Sequence, residues 1–343
     1  MSPLVDLRSD TVTRPTAAMR RAMAEAEVGD DVYGEDRTVL ALQEEAAALL
    51  GFEAALYVPS GTMGNLIAVL LHAKRGTEAI VEADSHVYNH ELGSMAAYGG
   101  VLPRVVPGVR GFPDPVEVEI LCREKAYYHA PVSLLLLENT HNRAGGTVLS
   151  IAHKDALIAA ARSHRIPVHL DGARVFNAAT ALGRRPDELA SGFDSVGFCL
   201  SKGLGAPVGS MLLGSAGFIE EARVVRKRLG GGMRQVGVLA AAGRIALREH
   251  RDRLGEDHAR ARRLAAALCD VPGLRVRPAL VETNIVVAEV DPQDDTASWL
   301  ASLRQEGVLA GTIARGRLRM VTHLDVDDAG IDRAIAAFRR RRA

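Results

Sequence analysis

The chain has few of the residues that mark secreted, membrane-bound or metal-binding proteins. Its three cysteines, Cys122, Cys199 and Cys269, are odd in number and form no paired metal or redox motif, which suits a reducing compartment. No apolar run approaches the ~18 residues that span a membrane, and the first residues lack a basic stretch followed by an apolar one. We therefore expect a cytoplasmic protein that is neither secreted nor inserted in a membrane.

Net charge is also lacking, because 42 basic residues balance 42 acidic residues in a chain of 343. Such a chain has no uniform basic field that would attract a nucleic-acid backbone or an anionic membrane. Hydrophobic residues at 48% and charged residues at 24% are typical of a globular protein. The length exceeds that of one usual core, so we expect two packed domains or one large domain with a smaller appendage. The lack of a basic field leaves small molecules as the expected partners.

Lysine is the scarce basic residue, since only five of the 42 basic residues are lysines. They are Lys74, Lys125, Lys154, Lys202 and Lys227. Any chemistry that needs a lysine amine therefore has five candidates, and their sequence surroundings differ.

Short apolar runs alternate with helix-forming segments from residue 38 onward, which is the rhythm of βαβ units. Residues 134–137 and 196–200 show no period-two alternation, as expected for central strands covered by helices on both faces. The pattern predicts an α/β fold with a mostly parallel, doubly wound sheet. The predicted strands are 55–58, 79–82, 134–138, 168–171, 196–200 and 210–213.

The rhythm changes near residue 245, where a small α+β domain is predicted to begin. Further helices are predicted over 17–27, 236–250, 255–269, 296–306 and 327–341, with strands over 284–290 and 318–321. The predicted organisation is an arm over 1–14, a large domain over 15–245 and a small C-terminal domain over 246–343.

Two polar residues follow or end predicted central strands. Lys202 comes directly after 196–200, where a desolvated amine could attack an aldehyde such as pyridoxal phosphate (PLP), or could instead reach solvent. Asp171 ends 168–171 and could keep a PLP pyridine nitrogen protonated, or could form a structural ion pair with Arg174. The two residues together favour a PLP site.

Two further segments follow strands of the predicted sheet. Residues 60–65 place small residues before an apolar helix, whose N-terminal amides can bind a phosphate, although such residues are also ordinary caps. His86 could stack on a flat cofactor or act as a base near neutral pH. His86 and His90 lie one helical turn apart, but no third ligand is identifiable, so no metal is predicted.

In their order along the chain, these segments resemble the low-specificity L-threonine aldolases, a family of PLP enzymes. The resemblance covers almost the whole chain and rests on residues 6–11, 31–36, 60–65, 138–142, 169–174, 200–204, 230–235 and 319–323. It implies PLP fold type I, the aspartate aminotransferase superfamily, with a seven-stranded sheet between helices and a small domain. It also implies a homo-oligomer, a catalytic dimer that pairs into a tetramer.

The activity implied by the resemblance is retro-aldol cleavage of L-threonine, L-allo-threonine and related β-hydroxy-α-amino acids. The products would be glycine and an aldehyde, which is acetaldehyde from threonine. The alternatives are another PLP reaction of small amino acids, namely serine hydroxymethyl transfer, β-elimination or racemisation, or a non-catalytic protein of the same fold.

The resemblance further implies contacts with the cofactor and with the substrate. Lys202 would hold PLP as a Schiff base, Asp171 would meet the pyridinium nitrogen, and His86 would stack on the ring and serve as base. Other implied cofactor contacts are Gly61, Thr62, Ser201, Arg174 and, from the adjacent subunit, Lys227 and Arg234. Implied substrate contacts are Ser9, Arg174, Arg319, Tyr33 and either His129 or Tyr128, which replaces a histidine common in the family.

Overall fold

The computed structural model describes residues 4–123 and 126–341, most of which build three sheets and their covering helices. The strands are β1 Val5–Asp6, β2 Ala54–Val58, β3 Glu78–Glu82, β4 Leu102–Val106, β5 Val132–Glu138, β6 Val168–Asp171, β7 Ser195–Cys199, β8 Ser210–Gly214, β9 Leu274–Val276, β10 Ile285–Val290, β11 Val308–Leu309, β12 Gly311–Ala314 and β13 Arg317–Val321. The α-helices are α1 Ala17–Ala24, α2 Arg37–Leu50, α3 Gly61–His72, α4 His86–Asn89, α5 Ser94–Ala97, α6 Pro115–Arg123, α7 Ile151–Arg162, α8 Val175–Leu182, α9 Pro186–Ala190, α10 Ala216–Arg228, α11 Gly237–Ile245, α12 Leu254–Leu268, α13 Thr296–Gln305 and α14 Asp328–Arg340.

The large sheet has seven strands in the order β2-β8-β7-β6-β5-β3-β4. β8 pairs antiparallel with β2 and with β7, and the remaining pairs are parallel. This confirms the predicted mostly parallel sheet. β4 was not predicted, because Pro103 and Arg104 interrupt its apolar run. Such residues are tolerated here because β4 is an edge strand.

Both faces of the large sheet are buried, which explains the unbroken apolar runs. In β5, Leu135 joins the core formed with α2, α7 and α8, whereas Leu134 joins a separate core with Val69 of α3. In β2, Tyr57 packs in the same core as Leu135, whereas Leu56 packs in another core on the opposite face of the sheet. Successive side chains of a strand point to opposite faces, so each face must be apolar when both are covered.

The second sheet is antiparallel, in the order β12-β13-β10-β9, and has its own core with α12, α13 and α14. β1 and β11 form a third, two-stranded parallel sheet. The N-terminal arm packs against the second sheet, because Val5 and Leu7 join its core and the Val321 amide donates to the Leu7 carbonyl at 2.8 Å. The arm thereby brings Ser9 next to the end of β13. None of the helices in the described ranges is both long and apolar enough to cross a membrane.

Several element limits differ from their predictions. The helix predicted over 17–27 ends at Ala24, and the helix predicted over 236–250 continues beyond Ile245 as a π-helix over Ala246–His250. β9, β11 and β12 were not predicted, since they are two to four residues long and largely half-exposed, which leaves no periodic signal. The limits of the three predicted domains stay a prediction.

Gly209 closes the loop that carries Lys202, and we expect Gly209→Ala to destabilise the fold. Its φ is +108°, its carbonyl accepts from the Leu200 amide at 3.0 Å, and an added Cβ would lie 2.3 Å from the Tyr57 hydroxyl. Backbone strain and overpacking together are expected to lower the free energy of unfolding by about 2–4 kcal/mol. A lower urea midpoint by circular dichroism checks this.

The control is Gly217→Ala in α10, where an added Cβ meets no atom within 4 Å. This change is expected to raise helix stability by about 0.5–1 kcal/mol. Equal midpoints for the two variants would contradict the strain assigned to Gly209.

Candidate active site

Six strands of the large sheet, β2, β3, β4, β5, β6 and β7, have their carboxyl ends at the same edge, and the polar residues predicted from the sequence follow several of them there. Two cavities meet at this edge, and both are bordered by His86, Asp171, Ala173 and Lys202. The first, of about 170 Å³, extends to the start of α3, and the second, of about 120 Å³, extends to Arg319 of β13. The carboxyl edge of such a sheet is the usual position of a ligand site.

The first cavity ends at the N-terminus of α3, which can bind an anion. Ser60 caps this helix, its hydroxyl accepting from the Met63 amide at 3.2 Å. The amides of Gly61 and Thr62 are in the first turn and have no partner within the helix. A Cβ on Gly61 would lie 3.2 Å from the Cys199 sulfur, so glycine keeps the helix close to the end of β7. This geometry suits a phosphate group.

Asp171 is a buried carboxylate that remains ionised. Its Oδ1 accepts from the Ala173 amide at 3.1 Å and its Oδ2 accepts from the Asn65 side-chain amide at 2.9 Å. Burial by itself would raise the pKa of Asp171, but the nearby charges of Lys202 and His86 and the Asn65 hydrogen bond lower it overall. An ionised carboxylate at this depth is the group that a pyridinium nitrogen needs.

A chain of hydrogen bonds behind Asp171 fixes the orientation of Asn65. The side-chain NH2 group of Asn65 points to the carboxylates of Glu91 and Asp171. Its oxygen therefore faces His169 Nε2, at 3.1 Å. On the other side of the ring, His169 Nδ1 lies 2.8 Å from the Ser195 hydroxyl. His72 Nε2 lies 2.8 Å from the same hydroxyl. Burial, with the neighbouring His72, lowers the pKa of His169 to about 3. His169 is therefore neutral and donates from Nε2 to Asn65, which in turn donates to Asp171.

His86 begins α4, and both its backbone and its ring are held by carboxylates. Its amide donates to Glu138 at 2.6 Å, and its Nδ1 lies 3.0 Å from Glu91 Oε1. Burial alone would lower the pKa of His86, but the Glu91 hydrogen bond and the charge of Asp171 raise it overall. Because Nδ1 is engaged by Glu91, Nε2 is the nitrogen left for proton transfer.

His86, Glu91 and Asp171 also form a group whose possible ligand atoms all lie within 4.8 Å of one another. Both carboxylates already accept N–H groups from Asn65, at 2.8 Å and 2.9 Å. The donors show that these oxygens are arranged for hydrogen bonding, and we assign no metal to them.

Arg174 lies beside the second cavity and is held by a partner that the sequence did not predict. Its Nε and Nη2 each donate at 2.7 Å to Asp10, and both side chains are buried. The structural ion pair considered for Arg174 thus exists, but with Asp10 rather than Asp171. Asp10 lies in the segment 6–11, but no feature of the sequence identified it as the partner of Arg174.

Arg319 brings a second guanidinium to the same cavity and is only partly paired. Its Nη2 donates to the Asn142 side chain at 2.7 Å, while its Nε is buried and has no hydrogen-bond partner in the described part of the chain. Burial and the charge of Arg174 lower the pKa of Arg319 to about 10, so it stays charged at neutral pH. Asp10 pairs with Arg174, whereas Arg319 forms no ion pair within the described residues, and Ser9 lies at the border of the same cavity.

Five residues named from the resemblance do not border either cavity of the described chain. Tyr33 and Tyr128 are 76% and 72% exposed, and His129 lies beside Tyr128 in an exposed turn. Arg234 donates to Asp30 at 3.0 Å, and Lys227 lies near the end of α10. Their roles stay predictions.

This sheet, with a lysine just past one strand and an aspartate at the end of the next, defines the class: the fold is fold type I of the PLP-dependent enzymes. A threonine aldolase structure from Leishmania major is similar with a TM-score of 0.85 and 20% sequence identity, covering 98% of each chain. At that identity the likeness concerns the fold.

Sequence comparisons give the family. The family described as "Beta-eliminating lyase" matches residues 6–291. A "Probable low-specificity L-threonine aldolase 2" of Arabidopsis thaliana is 46% identical over 98% of this chain and 96% of its own length. A "Low specificity L-threonine aldolase" of Escherichia coli O157:H7 is 42% identical over 98% of both. The chain belongs to the Beta-eliminating lyase family, among the low-specificity L-threonine aldolases, which confirms the resemblance.

Proposed function

We propose that this protein is a PLP-dependent aldolase that cleaves L-threonine, L-allo-threonine and related β-hydroxy-α-amino acids to glycine and an aldehyde. The observation that carries the proposal is the half-buried Arg319 guanidinium, whose Nε has no hydrogen-bond partner among the described residues, in a cavity that also reaches Lys202 and Asp171. It offers a place for an amino-acid carboxylate beside an amine and a carboxylate suited to PLP. The names of the relatives agree with this activity.

The residues of the first cavity fit PLP at three places. Lys202 supplies the amine that holds the cofactor, Asp171 keeps the pyridine nitrogen protonated, and the amides of Gly61 and Thr62 receive the phosphate, with Ser201 beside them. When bound, PLP accepts the electron pair released as a bond at the substrate Cα breaks.

Ser9, Arg174 and Arg319 bind and orient the substrate carboxylate in the second cavity. A guanidinium presents several N–H groups in one plane, which suits a carboxylate, and Arg319 Nε is available for this purpose. The two hydrogen bonds to Asp10 hold the Arg174 guanidinium in place. When the carboxylate is fixed, the orientation of the substrate decides which bond at Cα breaks. Cleavage of threonine to glycine requires that this is the Cα–Cβ bond.

His86 takes the proton of the β-hydroxyl at Nε2, directly or through water. Glu138 holds the backbone of His86, and Glu91 holds Nδ1, so the ring has a defined orientation. Burial alone would lower the pKa of His86, but the Glu91 hydrogen bond and the charge of Asp171 raise it overall, which makes the ring a stronger proton acceptor.

The assembly that we propose is a catalytic dimer, paired into a tetramer, in the cytoplasm. Lys227, Arg234 and Tyr33 would complete the partner's site, and His129 or Tyr128 would approach the β-hydroxyl. Support comes from their positions, because Tyr33, Tyr128 and His129 are exposed and none of the five borders either of the two cavities formed by the described residues.

Product analysis tests the proposed reaction. Purified protein with PLP and L-threonine is expected to release glycine and acetaldehyde in equal amounts, because one Cα–Cβ bond yields one of each. Ammonia and a keto acid without glycine would contradict the aldolase and would favour β-elimination, the reaction in the description of the wider family.

A further inference from the structure

Glu91 is a fully buried acidic side chain at the candidate active site, and the proposed mechanism does not use it as a reactant. Its side chain is 0% exposed, it borders the first cavity, and its Oε2 has no hydrogen-bond partner among residues 4–123 and 126–341. A buried carboxylate with one oxygen unsatisfied costs folding free energy. Such a group persists where its remaining contacts serve another purpose.

The remaining contacts of Glu91 connect it to His86 and Asp171, the two side chains proposed to contact the cofactor. Oε1 lies 3.0 Å from His86 Nδ1 and accepts from the Asn65 side-chain amide at 2.8 Å. The same Asn65 nitrogen donates to Asp171 at 2.9 Å. One carboxylate oxygen thus contacts His86 directly and is linked to Asp171 through a single amide group.

The charges around the His86–Glu91 pair come from several elements. Asp171 at the end of β6 and Lys202 after β7 act on His86 with opposite signs, and His90 lies in the next turn with its ring centroid 5.5 Å away. Burial, opposed in part by the His86 hydrogen bond, raises the pKa of Glu91. Because the pKa of His86 is raised as well, both shifts favour the retention of one proton between the two side chains.

We propose that Glu91 is a positioning residue, which acts through His86 and Asn65 to fix the ring orientation and proton state of His86 and the place of Asp171. This inference rests on the proposed function for its kinetic consequence. Its physical part, the control of His86 by Glu91, concerns the protein alone. The arrangement corresponds to a carboxylate that orients a catalytic imidazole through one nitrogen and leaves the other nitrogen to react.

The first experiment is a titration of His86 by NMR in the full-length protein with labelled histidine, before PLP is added. Glu91→Gln removes the charge at nearly constant size, and the pKa of His86 is expected to fall by about one pH unit, because an opposite charge within ~4–6 Å is lost. Glu91→Asp keeps the charge on a shorter side chain, and an intermediate pKa is expected. The Asp variant also keeps the test decisive if the Gln variant does not fold.

The second experiment is the pH profile of threonine cleavage with PLP bound. In Glu91→Gln the acid limb of kcat/KM is expected to move to lower pH with the pKa of His86, and kcat is expected to fall about 10²-fold with little change in KM. Glu91→Asp should recover part of this loss. A merely structural role would lower the amount of folded protein without moving the limb.

Glu82→Gln is the matched control. Glu82 Oε2 lies 2.9 Å from Nε2 of the buried His141, so this variant breaks a comparable pair at the end of β3. Neither residue borders the two cavities, and the pH profile is expected to keep its wild-type position.

Two results would overturn the role of Glu91: an unchanged His86 pKa in Glu91→Gln, or a pH profile that moves equally in Glu82→Gln. Wild-type protein that releases no glycine from threonine would instead refute the proposed function. The titration of His86, which needs neither substrate nor cofactor, separates the two failures.

Discussion

Lys202→Ala is expected to lower the rate of glycine release from L-threonine by about 10⁴-fold or more, because the variant lacks the amine that holds and exchanges the cofactor. Lys202 follows β7 at the edge where six strands have their carboxyl ends, and it borders both cavities. The other described lysines do not border either cavity. Coupled measurement of glycine and acetaldehyde at saturating PLP gives the rate.

Two variants serve as controls for this loss. Lys202→Arg keeps a positive charge but offers a poor nucleophile, so it should be nearly as inactive as the alanine variant. Lys74→Ala removes an exposed lysine and should keep the wild-type rate. A Lys202→Ala protein within tenfold of wild type would show that another amine serves the reaction.

Asp171→Asn is expected to reduce kcat for threonine cleavage by about 10²–10³-fold. The substitution preserves the shape of the side chain and removes its charge, and the cofactor ring then accepts electrons less readily. The Asn65 amide would also face another amide in place of an ionised acceptor. The rate at saturating PLP and threonine measures the effect on kcat.

Asp194→Asn is a matched control, because Asp194 accepts from the Val168 amide at 2.8 Å, at the opposite end of β6. It borders neither cavity and should leave kcat unchanged while altering stability slightly. Equal losses in the two variants would mean that Asp171 supports the strand and not the reaction.

The main sheet could be predicted because strands buried on both faces are rich in apolar residues. Six of its seven strands match apolar runs, and β4 was missed because its edge position permits Pro103 and polar residues. The positions of Lys202 and Asp171 followed from the same pattern, since each stands at the end of such a run. Their closeness follows from the parallel pairing of β6 with β7.

The partners of the site residues could not be predicted from local sequence. Asp10 meets Arg174 across 164 positions, and Asn65 meets Asp171 across 106. Neither contact produces a periodicity or a spacing in the sequence, because each depends on how distant elements pack. Glu91 stands in a short stretch after β3 and carries no local signal that distinguishes it from a surface glutamate.

The buried network behind Asp171 explains why so many polar residues are tolerated in this part of the core. His169, Ser195 and Asn65 are each buried, and each has hydrogen-bond partners within the chain that ends on Asp171. Satisfied networks of this kind hold a charged group in one place at little cost, and a broken one is expensive. The carboxylate is thereby placed before any cofactor binds.

Visible absorbance tests the central claim, that Lys202 holds PLP in this site, most directly. PLP is added to wild-type protein and to Lys202→Ala, excess cofactor is removed, and the spectra are recorded before and after addition of glycine. Wild type is expected to retain a band of lysine-bound cofactor that changes with glycine, whereas Lys202→Ala lacks that band. A wild-type protein without bound cofactor, or a variant with an unchanged spectrum, would contradict the account.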